Sequence, residues 1–503
     1  MRMRRCSFVK APWLIGSIAV VAFAVGSSPA AAGTATVAPL TVASGPSPFA
    51  GCHAGETPSS INYLNAEVEP WIAVNPTTLG TPRVNLIATW QQDRWSDGGA
   101  HGLVAGASFD DGKTWSETPL PFSACAPGGL SYERASDPWV SFGPDGTAYA
   151  ISISFNATNN DNAVAAATST NGGKTWGNLR TIKADNNQNQ FFNDKESITA
   201  DPVKAGVAYA VWDRLVSPTD NPDVFLHNVS SFTGPTWFSK TTDGGKTWSQ
   251  AKIIVPTAQN NQTIGNVIVV DPRTGTLYDF FNLIVGTGSN ATKVHGNNVA
   301  FITSGDGGDT WTAPRVISTL GTVFVSDPNT GQSIRTGDII PEPAIDPATG
   351  QLYVVWQDAR FTGGQFDQVA ISTSGDGGKT WSAPARVNTP TGSPAFTPSV
   401  HVNSTGVVGV TYYDFRTLQP GNTTTLPTDV WFISSPRGGA AFGNEVHLAG
   451  SFDMLTAPNA GGFFVGDYEG MTSAGTVFKP FFVIANSGNT TNRTDAVTTS
   501  VTP

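Results

Sequence analysis

The segment TSGDGGKTW, from Thr373 to Trp381, decides the fold because it is repeated along the chain. Similar copies precede it at intervals of about 60 to 70 residues, which is typical of a repeat architecture. They are SFDDGKTW (Ser108 to Trp115), STNGGKTW (Ser169 to Trp176), TTDGGKTW (Thr241 to Trp248) and TSGDGGDTW (Thr303 to Trp311). An Asp or Asn in each copy can accept hydrogen bonds from turn N–H groups, and a glycine supplies positive φ. We call this segment the box, and we predict that it closes a β-hairpin and buries its Trp against a neighbouring sheet.

A second pattern lies upstream of each box, with an alternating apolar run, a turn rich in Pro and Gly, and another strand. Seven copies begin with EPWIAVNP, DPWVSFGPDG, ESITADP, NVIVVDPRTG, EPAIDPATG, TPSVHVNSTG and GDYEGMTSAGT. Each unit predicts four antiparallel strands. The fold class is therefore all-β, a β-propeller of four-stranded antiparallel blades, with seven blades favoured and the boxes between the third and fourth strands. A six-bladed ring with one unit outside it is the alternative.

The two ends of the chain suggest further organisation. Residues 1–32 combine the basic MRMRRCSFVK, the apolar WLIGSIAVVAFAVG and three alanines before Gly33, which is typical of a signal peptide. We therefore expect a secreted protein. Residues 33–64 form an N-terminal segment, in which TATVAPLTV is placed to complete the edge of the last blade, and residues 65–503 form the propeller.

Cysteine usage agrees with export. Cys6 lies in the signal, so Cys52 and Cys125 are the remaining pair, and an oxidising compartment favours a disulfide between them.

Composition excludes several partners and cofactors. The formal net charge of −10 argues against nucleic acid, which needs a basic footprint. No later run approaches the roughly 20 apolar residues of a membrane helix. The six histidines, His53, His101, His227, His295, His401 and His447, show no metal-ligand spacing. We predict a monomer without metal or organic cofactor, and the acidic loops leave structural calcium open.

The boxes resemble the Asp boxes of the sialidase superfamily, also called bacterial neuraminidase repeat proteins. The resemblance covers residues 65 to 500 and implies a glycan-processing propeller. Sialidases of that superfamily use a Tyr nucleophile assisted by a Glu, an Asp acid/base and three arginines that hold the substrate carboxylate. This sequence lacks their Phe/Tyr-Arg-Ile-Pro segment, so the first arginine position cannot be transferred.

Blade geometry places function on the face opposite the boxes, where second strands end and first strands begin. Arginines follow or adjoin an Asp at several of these strand ends, and others lie in the loops YERASDPW and SIRTGD. The candidate substrate-binding residues are Arg94, Arg134, Arg214, Arg335, Arg360 and Arg416. They hold an anionic sugar through forked contacts to its carboxylate, or they pair with the neighbouring Asp93, Asp213, Asp358 and Asp414 and stitch the blades together.

The candidate catalytic residues lie at the starts of two first strands. The segment GDYEGM supplies Asp467, Tyr468 and Glu469, and DPWVSF supplies Asp137. A Tyr beside carboxylates resembles the sialidase nucleophile in residue type, because a neutral phenol activated by Glu avoids repulsion from an anionic substrate. Neighbours in a strand, however, point to opposite faces, so Tyr468 and Glu469 meet only if the backbone bulges.

These observations predict a secreted glycoside hydrolase of exo-α-sialidase-like type, which acts on anionic terminal sugars of a carbohydrate or glycoconjugate. Two alternatives stay open. A polysaccharide lyase needs a His or Tyr base, such as His101 or His401, near an arginine. A non-catalytic binding propeller needs no free arginines at its rim.

Overall fold

The computed structural model describes residues 35–217, 233–286, 295–439 and 441–503. Within these residues, Ala35–Pro503 form one compact unit. The predicted signal peptide and His227 lie outside the described residues.

Six successive groups of four antiparallel strands make up most of the described chain, and we number them sheets 1 to 6. Sheet 1 contains Asn62–Val74, Leu86–Trp95, Ala100–Ser108 and Ser116–Pro119, and sheet 2 contains Arg134–Phe142, Ala148–Phe155, Asn162–Ser169 and Gly177–Asp185. Sheet 3 contains Phe191–Ala200, Ala208–Val216, Thr236–Thr241 and Lys252–Val255, and sheet 4 contains Asn261–Val270, Leu277–Gly286, Asn298–Ser304 and Arg315–Thr319, with the short His295–Gly296. Sheet 5 contains Glu342–Ile345, Leu352–Asp358, Gln368–Ser374 and Ala385–Arg386, and sheet 6 contains Ala395–Val402, Val408–Asp414, Pro427–Ser435 and Gly443–Asp453.

A terminal sheet joins the two ends of the described chain. Its strands near the C-terminus are Gly470–Ala474, Val477–Ala485, Thr494–Thr498 and Val501–Thr502. Thr41–Val42 pairs with Thr494–Thr498, and Thr36–Val37 pairs with Val501–Thr502. The N-terminal segment thus covers an edge that would otherwise expose unpaired backbone groups.

The first strands of the sheets contact one another in chain order, and Gly470–Ala474 of the terminal sheet contacts Asn62–Val74 of sheet 1. This arrangement closes a ring. The apolar residues lie between adjacent sheets, as where Phe280 and Phe301 of sheet 4 meet Trp356 of sheet 5. The all-β class and the four-stranded antiparallel sheets are as predicted, whereas the count of seven blades stays a prediction.

A smaller three-stranded sheet lies outside this pattern. It contains Val325–Ser326, Ser333–Arg335 and Phe463–Phe464, the last two paired in parallel. Three short 3-10 turns, Pro76–Thr78, Ala359–Thr362 and Met454–Thr456, are the helical elements of the described residues. In that part of the chain, no helix has the length and apolar character needed to cross a membrane.

The boxes form the predicted turns between third and fourth strands. In the box of sheet 5, Ser374 Oγ accepts from Gly378 N at 2.9 Å, and Asp376 accepts from both the N–H and the hydroxyl of Thr380. These bonds hold the pKa of Asp376 below its usual value. Trp381 then packs against Phe301 of the preceding sheet, with ring centroids 5.5 Å apart. Each box therefore shapes its own turn, and here its aromatic ring also binds two sheets together.

Cys52 and Cys125 form a disulfide that closes a loop of 73 residues. It ties the N-terminal segment to the loop after sheet 1. Phe49, three residues earlier, is buried against Gly102 of that sheet, where a Cβ would lie 2.6 Å from the ring. Restricting so long a loop in the unfolded chain stabilises the fold by roughly 4 kcal/mol in the chain-entropy model.

Replacing Cys52 and Cys125 together by Ser should lower the free energy of unfolding by roughly 2 to 4 kcal/mol, measured by urea denaturation. A reductant should lower the free energy of unfolding of the wild type to a similar extent and leave that of the double variant unchanged. Equal stability of the two proteins without reductant would contradict this role of the disulfide.

Candidate active site

A cavity of about 590 Å³ opens at the ends of the second strands and the starts of the first strands. Arg94, Phe155 and Leu215 reach it from second strands, and Asp137 and Lys195 reach it from first strands. In a four-stranded antiparallel sheet, the turn between the third and fourth strands lies at the opposite end. The cavity is therefore on the face away from the boxes.

The first strands of five sheets share one irregularity, a β-bulge with a single extra residue. The first residue inside each bulge has a positive φ, and these residues are Glu69 (55°), Asp137 (53°), Lys195 (47°), Gly265 (73°) and Thr397 (45°). Left-handed backbone is strained for every one of them except glycine. A bulge also re-aims the side chain that it carries. In sheets 1, 2 and 3 that side chain is charged.

These three charged side chains meet Asp467 in what we call the central cluster: Glu69, Asp137, Lys195 and Asp467. The Lys195 ammonium lies 3.0 Å from Glu69 Oε1, 3.2 Å from Asp137 Oδ1 and 2.7 Å from Asp467 Oδ2. The three carboxylates come from sheet 1, sheet 2 and the segment before the terminal sheet. Residues far apart in sequence thus form one ionic cluster at the centre of the ring.

The carboxyl groups of the cluster differ in protonation. Burial, together with the charge of Asp137, raises the pKa of Glu69 to about 8, although Lys195 opposes the rise. Burial favours the neutral form of Asp467 as well, but Arg335 and Lys195 outweigh it and hold the pKa of Asp467 well below its usual value. At neutral pH, Glu69 is mainly neutral and Asp467 is ionised.

Two arginines reach the cavity, and both face the buried ring of Phe464. Arg335 forms a forked contact with Asp467, at 3.2 and 2.7 Å, and its guanidinium carbon lies 4.2 Å from the ring centroid of Phe464. Arg94 donates to Gln91 Oε1 at 2.6 Å and lies 5.0 Å from the same ring. Its Nε is buried without a hydrogen-bond partner. Burial and the nearby Arg335 lower the pKa of Arg94 to about 10.

Asp338 is a further carboxyl group that lines the cavity. Burial raises its pKa to about 7, and the negative charge of Asp467 adds to the rise. Among the described residues, no other side chain donates a hydrogen bond to it. Asp338 therefore offers a carboxyl group that is partly protonated near neutral pH and that accepts no hydrogen bond from another described side chain.

Tyr468 and Glu469, the predicted nucleophile and its helper, do not meet. The Tyr468 hydroxyl donates to Pro138 O at 3.2 Å, and its ring lies beside the stacked Trp71 and Trp139. Burial raises its pKa well above the usual value. Glu469 is buried beside Thr411 and Tyr413 of sheet 6, where burial raises its pKa to about 8. Adjacent residues of an extended segment point to opposite sides, so the predicted arrangement is wrong.

The other four candidate arginines are paired within the protein, away from the cavity lining. Arg134 contacts Asp97 and the backbone oxygens of Gly55 and Gly98. Arg214 pairs with Asp185, Arg360 with Asp358, and Arg416 with Asp414 and Glu445. Asp93 and Asp213 accept hydrogen bonds from residues other than the following arginine. Arg360 and Arg416 thus pair with the neighbouring Asp, as the alternative expects, whereas Arg214 reaches Asp185 of sheet 2 and Arg134 reaches Asp97 in a loop of sheet 1.

Sequence reasoning missed Glu69, Lys195 and Asp338. A signal for Glu69 was present, because Glu69-Pro70-Trp71 and Asp137-Pro138-Trp139 occupy equivalent positions of two repeats. Asp338 ends the segment SIRTGD, of which only Arg335 was singled out. Lys195 had no such signal, because its partners come from other sheets.

Histidine does not line the cavity. His101 contacts Asp93, and His447 contacts Asp429. Burial lowers the pKa of His401 to about 4. Within the described ranges, three or more His, Cys, Asp or Glu side chains are nowhere grouped to hold a metal ion. The absence of a metal or organic cofactor, with structural calcium left open, stays a prediction.

Comparisons with known proteins relate to the repeat and the fold. A search of curated sequences finds no match. Among solved structures, an α-L-arabinanase of Penicillium chrysogenum is 12% identical, with 88% of this chain and 98% of that chain covered and a TM-score of 0.43. A Hadza microbial sialidase is 14% identical, with 85% and 74% covered and a TM-score of 0.47. An α-L-arabinofuranosidase of Fusarium graminearum is 14% identical, with 69% and 92% covered and a TM-score of 0.42.

The family model described as BNR repeat-like domain matches residues 235–340. This range includes the boxes of sheets 3 and 4. The match confirms the resemblance that the boxes indicated, and residues 235–340 are similar to this BNR repeat-like domain.

Proposed function

We propose that this chain is a secreted glycoside hydrolase that removes terminal sugars from glycans, with Asp338 as the proton donor and Asp467 as its ionised partner. The supporting observation is that one cavity holds two carboxyl groups with opposite shifts in pKa. Glycoside hydrolysis needs this pair, because one group protonates the leaving oxygen and the other faces the positive charge that develops on the sugar. The basic and apolar stretches of residues 1–32 support secretion.

A neutral sugar fits the cavity better than an anionic one. Its lining includes five aspartates, Asp97, Asp137, Asp194, Asp338 and Asp467, against Arg94, Lys195 and Arg335. Two of these three cations already contact Asp467. Asp338 is partly protonated near pH 7 and Asp97 is paired with Arg134, so the other three aspartates match the three cations and a substrate carboxylate would meet no surplus of positive charge.

The exo-α-sialidase-like activity on anionic sugars is the second candidate. The observation in its favour is the unpartnered Nε of Arg94 in the cavity wall. A buried donor without a partner is costly, and a ligand carboxylate would satisfy it. This candidate needs Arg94 and Arg335 to act together without the third arginine of the sialidase pattern.

The remaining alternatives have less support. A lyase has less support because, in the part of the chain that the structure describes, neither His nor Tyr lines this cavity. A binding propeller is favoured by the paired Arg214, Arg360 and Arg416, but it gives no reason for a carboxyl group with a pKa near 7 beside an ionised one. Turnover of any glycan would show that the protein is an enzyme and not a binding module.

A substrate panel tests the function and its specificity together. The panel contains aryl glycosides of neutral sugars, including α-L-arabinofuranosides, together with sialosides and a uronic-acid polysaccharide. We expect release of a neutral sugar. Release of sialic acid that is lost in Arg94→Lys would favour the second candidate, unsaturated product would favour a lyase, and binding without turnover would contradict the proposal.

Asp338→Asn should lower kcat/KM by roughly 10²- to 10⁴-fold on a natural glycoside, because the leaving oxygen is no longer protonated. The loss should be much smaller on a 4-nitrophenyl glycoside, whose leaving group departs without a proton. Asp309→Asn, at a side chain that is 67% exposed on a box turn, is the matched control and should keep full activity. Equal activity of Asp338→Asn and wild type on both substrates would remove Asp338 from the mechanism.

The pH profile should follow the same group. Because the proton donor must be protonated, kcat/KM on the natural substrate should fall as pH rises above about 7. Asp338→Asn should lose this alkaline limb. If the alkaline limb persists unchanged in Asp338→Asn, a group other than Asp338 is responsible for it.

A further inference from the structure

Lys195 is placed to act through other residues rather than on a substrate. Its ammonium has three N–H donors, and three carboxyl groups lie within 3.2 Å of it. Its side chain is 11% exposed. The donors are therefore satisfied inside the protein, and a sugar hydroxyl has none left to bind.

We propose that Lys195 is a positioning residue, which holds Glu69, Asp137 and Asp467 together through its three ion-pair contacts and offsets their charge at the floor of the cavity. The effect of Lys195 on catalysis rests on the proposed function, whereas its effect on the carboxyl groups that it contacts does not. Lys195 takes this position because the bulge of sheet 3 holds it in left-handed backbone, as the bulges of sheets 1 and 2 hold Glu69 and Asp137.

A count of charges explains why one cation is needed there. Glu69 and Asp137 are close enough to repel each other, and two buried carboxylates in contact retain one proton between them. With Glu69 holding that proton, the two remaining acidic residues of the cluster, Asp137 and Asp467, face two cations, Lys195 and Arg335. Removing Lys195 leaves a buried negative charge without compensation, which is strongly unfavourable.

Other groups around Lys195 do not replace its charge. Arg335 is bound to Asp467, and Arg94 lies farther out beside Gln91. Asp194 and Glu196, its neighbours in sequence, add carboxyl groups, and the Tyr468 ring centroid lies 5.7 Å from the ammonium. Among the described residues, the groups that act on the Lys195 ammonium directly are Glu69, Asp137, Asp194, Asp467 and the Tyr468 ring, and Arg335 lies beyond Asp467.

The first test is the pH dependence of unfolding, which needs no substrate. In Lys195→Met, the pKa values of the surrounding carboxyl groups rise in the folded state. A raised carboxyl pKa contributes stability below the unfolded value near 4 and loses it as pH increases. We therefore expect the urea midpoint of Lys195→Met to fall increasingly below that of wild type between about pH 5 and about pH 8.

Lys479→Met is the matched control. Lys479 is also buried, with a side chain 2% exposed, and it pairs with Asp111 in the box turn of sheet 1. The Asp111 side chain is 37% exposed, whereas the carboxyl partners of Lys195 are at most 8% exposed, so the carboxylate that is left is less desolvated. The midpoint difference of Lys479→Met should stay nearly constant over the same range. A constant difference for Lys195→Met as well would overturn the proposal.

A second variant keeps the test decisive if Lys195→Met folds poorly. Adding Asp137→Asn removes one negative charge and restores the balance. The double variant should be more stable at about pH 8 than Lys195→Met alone, although Asp137→Asn in the wild type brings no such gain. Absence of this recovery would show that Lys195 does not act through the carboxyl groups.

The catalytic readout separates this inference from the proposed function. With a substrate in hand, the acid limb of kcat/KM should move upward by about one pH unit or more in Lys195→Met, because the ionised partner accepts a proton more readily. A purely structural role would lower activity equally at all pH values and leave the limb in place, which would overturn the inference. If the unfolding results hold and no glycan is turned over, the assignment of Lys195 stands and the proposed function fails.

Discussion

The left-handed bulge in the first strands is the constraint on which the site depends. A regular strand would send successive side chains alternately to the two faces of its sheet, into the contacts with neighbouring sheets. The extra residue breaks this alternation at Glu69, Asp137 and Lys195, and it turns their side chains toward one another. Strained backbone of this kind persists only where many contacts with the surrounding structure hold it in place. Here the surroundings are a ring of packed sheets and the ionic contacts of the cluster itself.

The scaffold supplies this rigidity from the opposite face. Each box fixes a turn through hydrogen bonds to an Asp or Asn, and Trp311 and Trp381 pack on the sheet before their own. The ring closes through strands from both ends of the chain, and the disulfide holds the N-terminal segment to the loop after sheet 1. The two faces differ in how their carboxylates are used, because those of the box turns accept hydrogen bonds from backbone N–H and hydroxyl groups, whereas those of the central cluster contact the ammonium of Lys195.

The sequence allowed the all-β class, the box turns and the face that carries the cavity to be predicted, because each follows from a local pattern that is repeated. The cluster was harder to predict, since Lys195 and its partners are 126, 58 and 272 residues apart. Asp137 and Asp467 were found because they stand beside aromatic residues at strand starts. Tyr468 was misjudged, since a residue's distance from the start of a strand does not reveal which way its ring points. The Asp–Arg motif could not be resolved from the sequence, because Arg214, Arg360 and Arg416 pair with carboxylates of the scaffold whereas Arg94 of the same motif lines the cavity.

The central claim is that a sugar reacts between Asp338 and Asp467, above the cluster that Lys195 holds together. A crystal structure of Asp338→Asn, soaked with an oligosaccharide that wild type cleaves, tests it most directly. We predict that the terminal ring lies in the cavity with its glycosidic oxygen beside residue 338 and its anomeric carbon facing Asp467. A sugar bound on the box face, or at the rim beside Arg360 and Arg416 with an empty cavity, would contradict the account.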